Sequence, residues 1–84
     1  MRITLKLFAT LTDYLPAESR YTNIVELEVA TSATILQVLQ PYQLPQKLVH
    51  LVLVNGKYID PEKRASHGLI EGDVLAIWPP IAGG

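Results

Sequence analysis

The chain has 84 residues, 49% of them hydrophobic and 18% charged, which is the composition of one folded globule and too little chain for two cores. Seven basic against eight acidic side chains leave a net charge of -1, so there is no electrostatic footprint for a phosphate backbone and nucleic acid is not an expected partner. No cysteine is present to form a disulfide or a thiolate ligand, and the core and backbone ladders must hold the fold unaided.

Residues Arg2 to Ala9 alternate with period two, Ile3, Leu5 and Leu7 against Arg2, Thr4 and Lys6, which predicts a strand with one buried face. The same alternation lacks the unbroken apolar run of about 7 to 15 residues that a signal peptide requires. No stretch approaches the roughly 18 apolar residues of a membrane span. A cytoplasmic location with no membrane partner is therefore expected. Thr10 to Leu15 has room for one short helical turn, ended by Pro16, and residues 17–23 are polar and read as a loop. From Ile24 to Ala30 the alternation returns, with Val25, Leu27 and Val29 opposed to Glu26 and Glu28. This second strand, close in sequence to the first, is expected to pair with it antiparallel.

Ile35, Leu36, Val38 and Leu39 then fall at helical spacing, and Thr34 with Gln37 matches a capping box, so a helix starts there. Pro41 cannot donate to a helical ladder and biases Gln40 away from helical angles, so the helix should stop or kink at that point. Pro45 repeats the interruption, and residues 41–48 carry no readable pattern.

Leu48 to Val54 is nearly continuous in Leu and Val, and Asn55-Gly56 separates it from Lys57-Tyr58-Ile59. Asn-Gly between apolar runs predicts a hairpin, because both residues tolerate the positive φ of a type I′ turn. Residues 60–72 form a long polar connection with room for one helical turn. Glu71-Gly72-Asp73 introduces a last strand, Val74 to Trp78, with Val74, Ala76 and Trp78 on one face and Leu75 and Ile77 on the other. Apolar residues on both faces predict a central strand with a parallel neighbour.

The order strand, strand, helix, hairpin, strand gives an α+β domain over residues 1–78. It is a mixed sheet of four to five strands with one main helix packed across it, the first and last strands lying side by side in parallel. That is the ubiquitin-like β-grasp architecture. Residues 79–84, Pro-Pro-Ile-Ala-Gly-Gly, read as an extended C-terminal tail. Two prolines end the strand, side chains taper from Ile81 through Ala82, and Gly83 and Gly84 have no Cβ to collide with the walls of a partner's channel. What such a tail presents is an α-carboxylate, ionised at neutral pH and a poor electrophile until something such as a mixed anhydride with AMP activates it.

With Leu7-Phe8-Ala9, Ala33-Thr34-Ile35, Val54-Asn55-Gly56, Gly72-Asp73 and above all Ile77-Trp78-Pro79-Pro80-Ile81-Ala82-Gly83-Gly84, the chain resembles the MoaD/ThiS family of prokaryotic sulfur carriers over nearly its whole length. It is more similar to the small subunit of molybdopterin synthase than to the thiamine-pathway carrier. The resemblance implies that an ATP-using, ubiquitin-activating-type enzyme adenylates Gly84 and that a sulfur donor converts it to a thiocarboxylate. The large subunit of molybdopterin synthase then takes the sulfur into the dithiolene. The chain would be a substrate and carrier rather than a catalyst, with no cofactor of its own and with ATP bound by the activating enzyme. It departs from the family in having Thr12 and Asp13 after Leu11, where an Arg is common, and in a main helix cut short by Pro41 and Pro45.

No catalytic constellation is visible: His50 and His67 stand apart, and the five glycines form no phosphate loop. Asp60 and Glu62 flank Pro61 in a turn and read as solvated, as do Lys47, Lys57, Lys63 and Arg64, whose charge serves ordinary solubility or, for some of them, the steering of an acidic partner surface. Trp78 either fills the core or lies with Phe8 on the uncovered sheet face as an aromatic anchor for a partner. Tyr58 and Leu75 are further candidates for that interface. Three other readings of the same tail are a sulfur carrier for thiamine or another pathway, a ubiquitin-like modifier that forms isopeptide bonds, and a β-grasp interaction module whose tail is inert.

Overall fold

The first strand, β1 (Arg2–Leu7), buries Ile3, Leu5 and Leu7 on one side, as its alternation requires. The computed structural model describes residues 1–80. After β1 the chain makes two 3-10 turns, at Ala9–Tyr14 and Ala17–Ser19, and returns as β2 (Ile24–Glu28). There follow α1 (Ile35–Leu39), further 3-10 turns at Gln40–Tyr42 and Gln46–Leu48, the hairpin β3 (Leu51–Val54) and β4 (Lys57–Tyr58), a turn at Pro61–Lys63, and β5 (Val74–Trp78). The sheet has five strands in the order β2-β1-β5-β3-β4. Strand β5 pairs parallel with β1 and antiparallel with β3, so the last strand is central, as two apolar faces predict.

In this mixed sheet α1 and the turns cover one face. Leu5 sits level with Leu75 and with Val25 across the two ladders, and Leu7 sits level with Ile77. These side chains meet Leu11, Leu15, Ile35, Val38, Leu39, Val52, Val54 and Leu69 in one core. The capping box at the start of α1 is complete: Gln37 N donates to Thr34 Oγ1 at 3.3 Å and Thr34 N donates to Gln37 Oε1 at 2.9 Å. Pro41 does not halt the chain abruptly. It takes an early position in the 3-10 turn Gln40–Tyr42, and the reversal comes at Gln43, whose φ is 51°.

Asn55 (φ 51°) and Gly56 (φ 84°) make the hairpin turn with both dihedrals in the left-handed region, as a type I′ turn demands. The strand before it is shorter than its apolar run predicts. Pro45 opens a new turn that carries Leu48, and Val49 has ψ 80°, so ladder pairing starts only at Leu51.

Candidate functional site: the open sheet face and the root of the C-terminal segment

The face of the sheet away from α1 is divided in composition. Along its β2–β1 edge it carries Arg2, Thr4, Lys6, Glu26 and Glu28, with Arg2 Nε donating to Glu28 Oε1 at 3.0 Å. That hydrogen bond, followed by the charges of Glu28 and Glu26, raises the Arg2 pKa above its ordinary value. Across β5, β3 and β4 the same face turns apolar, because Leu51 sits level with Trp78, Leu53 with Ala76, and Tyr58 with Leu53.

At one end of this apolar half, Phe8 stacks on Trp78 with ring centroids 3.8 Å apart and planes 5° from parallel. Phe8 has just left β1, and its N–H still donates to Ile77 O at 3.1 Å, which holds the ring over β5. The indole is therefore no core filler. It is half-buried on the open face and shielded by Phe8, while Tyr58 is 50% exposed farther along. Phe8 and Trp78 thus lie on the face expected for an interface; Tyr58, although level with Leu53 on the edge strand, also lines the groove beside α1 with its ring 5.8 Å from Arg64 Cζ, so it does not join them in one patch.

Leu75 does not. Its relative exposure is 0%, because it is one residue out of phase with Ala76 and faces Leu5 and Val54 inside the core. A strand with apolar residues on both faces gives no local sign of which face the helix covers, and the expectation for Leu75 is corrected on that ground.

Trp78 is also the last residue of β5. Its carbonyl accepts from His50 N at 3.1 Å, and the next two residues, Pro79 (half-buried) and Pro80 (exposed), have no N–H to offer a ladder. Ile81, Ala82, Gly83 and Gly84, on which the tail reading rests, lie outside the described residues.

Two side-chain clusters escape sequence reasoning. Arg64, expected to be a solvated charge, is 5% exposed. Its Nε, Nη1 and Nη2 donate to Ile59 O, Val49 O and His50 O at 3.0, 3.2 and 3.1 Å. The acceptors are backbone carbonyls up to 15 residues away, so no local pattern betrays them. The second cluster joins the hairpin to the entry of β5. Asn55 Nδ2 donates to Asp73 Oδ1 at 2.8 Å, Val74 N donates to Asn55 Oδ1 at 2.8 Å, and Ile70 N donates to Asp73 Oδ2 at 2.9 Å. Asn-Gly and Gly-Asp each have a turn signature, but their meeting across the fold does not.

Among the described residues no group of three or more His, Asp or Glu is placed to hold a metal ion. A groove of about 890 Å³ beside α1, walled by Leu36, Leu44, Val49 and Tyr58 with Lys47 and Arg64, has no carboxylate in its lining, so nothing there pairs an acid with a base. No described helix is long and apolar enough to cross a membrane.

The ThiS family model matches residues 5–84, which includes both the apolar face and the chain end. The chain belongs to the ThiS family. Its fold is the ubiquitin-like β-grasp shared by ThiS/MoaD-type sulfur carriers and small protein modifiers. SAMP1 of Haloferax volcanii superimposes with a TM-score of 0.70 at 27% identity, over 100% of both chains. A putative molybdopterin converting factor subunit 1 of Pyrococcus furiosus gives 0.69 at 17% identity, over 96% of this chain and 99% of that one. In the protein complex of subunits 1 and 2 of the Helicobacter pylori molybdopterin-converting factor, the matching chain gives 0.62 at 19%, over 100% of both. The last two speak for the fold alone. No curated protein sequence matches the chain.

Proposed function

We propose that this ThiS-family chain is a sulfur carrier whose Gly84 carboxylate is adenylated by a ubiquitin-activating-type enzyme and then converted to a thiocarboxylate. The observation that carries the reading is the apolar, aromatic-ended face that runs to Trp78, followed directly by two prolines. It couples a surface fit for a partner to the point where the chain leaves the sheet. Docking of Phe8, Trp78 and Leu51 against a partner would bury an aromatic centre with charged residues to one side, the anatomy of a protein interface. Pro79 and Pro80 favour extended backbone beyond it, Ile81 and Ala82 are small enough to follow, and Gly83 and Gly84 give access at the reacting end.

The chemistry runs through the terminus. The carboxylate oxygen attacks the α-phosphorus of ATP held by the partner, pyrophosphate leaves, and the acyl adenylate gives Gly84 a carbonyl that a sulfur nucleophile can attack with AMP as leaving group. The domain supplies no acid, base or nucleophile and acts as a substrate that is handed on. Molybdopterin is the proposed destination of the sulfur. The receiving partner would be a synthase large subunit, in keeping with the molybdopterin-converting-factor subunits that share the fold. All of this takes place in the cytoplasm.

The test is intact-mass analysis after incubation with the activating enzyme, ATP and a sulfur donor. The expected gain is about 16 Da, one oxygen becoming sulfur, lost on deletion of Gly84 while the thermal transition stays in place. An unchanged mass with an enzyme that loads another family member would refute it. The 27% identity to SAMP1, whose name in full is small archaeal modifier protein 1, favours a second reading in which the activated Gly84 forms isopeptide bonds with lysines. Conjugates of high molecular weight that vanish when Gly83 and Gly84 are removed would support that alternative.

A further inference from the structure

Among the described residues, the last backbone hydrogen bond of β5 before the C-terminal segment runs from His50 N to Trp78 O, at 3.1 Å. Past it come two residues with no N–H. Whatever fixes residues 49 and 50 therefore fixes the place and direction at which the chain leaves β5. Those two residues precede β3, and Val49 has ψ 80°, which is not a strand value. Their carbonyls accept instead from one side chain. Arg64 Nη1 reaches Val49 O at 3.2 Å and Nη2 reaches His50 O at 3.1 Å, while Nε closes on Ile59 O at 3.0 Å.

A planar guanidinium spans three carbonyls in fixed geometry, which an ammonium on a flexible stem cannot do. The guanidinium is braced in turn. Its Cζ lies 5.8 Å from the centroid of the Tyr58 ring, and the residue's own carbonyl accepts from Leu36 N at 3.3 Å in the first turn of α1. A buried cation with no carboxylate partner among the described residues is costly to keep, and its three backbone bonds are what offset that cost.

We propose that Arg64 is a positioning residue for the carrier terminus: its guanidinium sets the Val49–His50 backbone on which Trp78 O is anchored, and thereby aims the chain at Pro79. The functional half of this inference rests on the sulfur-carrier reading, and the structural half does not.

The test compares the full-length chain with Arg64→Gln and with Arg64→Lys, which keeps charge and stem but not the fork. Amide hydrogen exchange should speed up at His50 by about tenfold or more, with Leu5 in the centre of the sheet unchanged. The emission of Trp78, the single tryptophan, should shift to the red as its carbonyl is released. In adenylation by the activating enzyme the KM for the carrier should rise about tenfold with kcat within about twofold, since the terminus is misaimed but chemically intact.

Equal loss of protection at His50 and Leu5 would reduce Arg64 to a general stabiliser and overturn the proposal, as would unchanged exchange and emission in both variants. A raised KM in Arg64→Gln fully restored by Arg64→Lys would also overturn it, because charge alone would then suffice. Should Arg64→Gln fail to fold, Arg64→Lys is read by the same criteria. If the wild-type chain is not adenylated at all, the carrier reading fails, while exchange and emission still decide whether Arg64 positions the strand end.

Discussion

The cluster of Asn55, Asp73 and Val74 permits a sharp test of what holds the central strand. Asp73 is 6% exposed, and its two carboxylate oxygens face two donors, Asn55 Nδ2 at 2.8 Å and Ile70 N at 2.9 Å. Asp73→Asn keeps the shape and replaces one acceptor oxygen by an NH2 group, so one of those donors meets another donor. The loss of one hydrogen bond to a charged acceptor, with its partner left unsatisfied, costs about 2 kcal/mol. For a domain of this size that lowers Tm by roughly 8–16 °C.

Asn55 has two roles that can be separated, since its φ of 51° suits glycine as well. Asn55→Gly keeps the turn and removes only the side-chain bonds. Its cost should be about 1–2 kcal/mol, because the Val74 N–H loses its acceptor. If the two residues act through their shared bond, the double variant Asn55→Gly/Asp73→Asn should be less damaged than the sum by about 1 kcal/mol. Urea unfolding of the four proteins in parallel measures this. Strict additivity, or a Tm loss below about 3 °C for Asp73→Asn, would refute the claim that this network carries a substantial share of the stability.

Leu75→Ala should cost about 2–5 kcal/mol, whereas Tyr58→Ala, which removes a half-exposed ring, should change stability by about 1 kcal/mol or less. Equal effects of the two on stability would contradict the full burial of Leu75. Burial raises the Tyr42 phenol above its ordinary value of 10.0. The folded state then keeps that proton to higher pH than the unfolded chain does, so the tyrosine's share of stability is intact below about pH 10 and falls as the pH rises beyond it. Tyr42→Phe should flatten this part of the alkaline slope in urea midpoints taken across about pH 9 to 11, and an identical slope would dispose of it.

Elements with a local code were legible. The alternation of β1 and β2, the Thr34–Gln37 box and the Asn55-Gly56 turn each depend on residues within a few positions; box and turn stand where the pattern places them, and each strand starts there but ends two residues early, at Leu7 and Glu28. Pro41 and Pro45 were legible as interruptions but not as the starts of 3-10 turns, because proline suits the first positions of such a turn as well as it ends a helix. What stayed hidden is long-range. Arg64 looks like its exposed neighbours Glu62 and Lys63 until residues 49 and 50 are folded against it. For the site, Trp78 was legible as one of two alternatives, and only the stacking of Phe8, just past the end of β1, decides between them.

Strand β5 serves stability and recognition with alternate side chains, Leu75 and Ile77 inward, Ala76 and Trp78 outward. Period two makes that division clean but also fragile, since a slip of one residue would bury the indole and expose both aliphatic side chains. Both faces being apolar, hydrophobicity discriminates weakly between the two registers. Hydrogen bonds must do so. Asn55 exchanges bonds with Val74 on both its side chain and its backbone, with Asn55 N donating to Val74 O at 2.9 Å, and Asp73 O accepts from Thr4 N at 2.9 Å on the opposite neighbour. These contacts grip the first residues of β5 from both sides and are specific to one register. The lock at the start of the strand therefore determines which side chain faces Phe8 at its end, so that Asn55 and Asp73, four to five residues up the strand and roughly 13–17 Å away, govern what the root of the C-terminal segment presents to a partner.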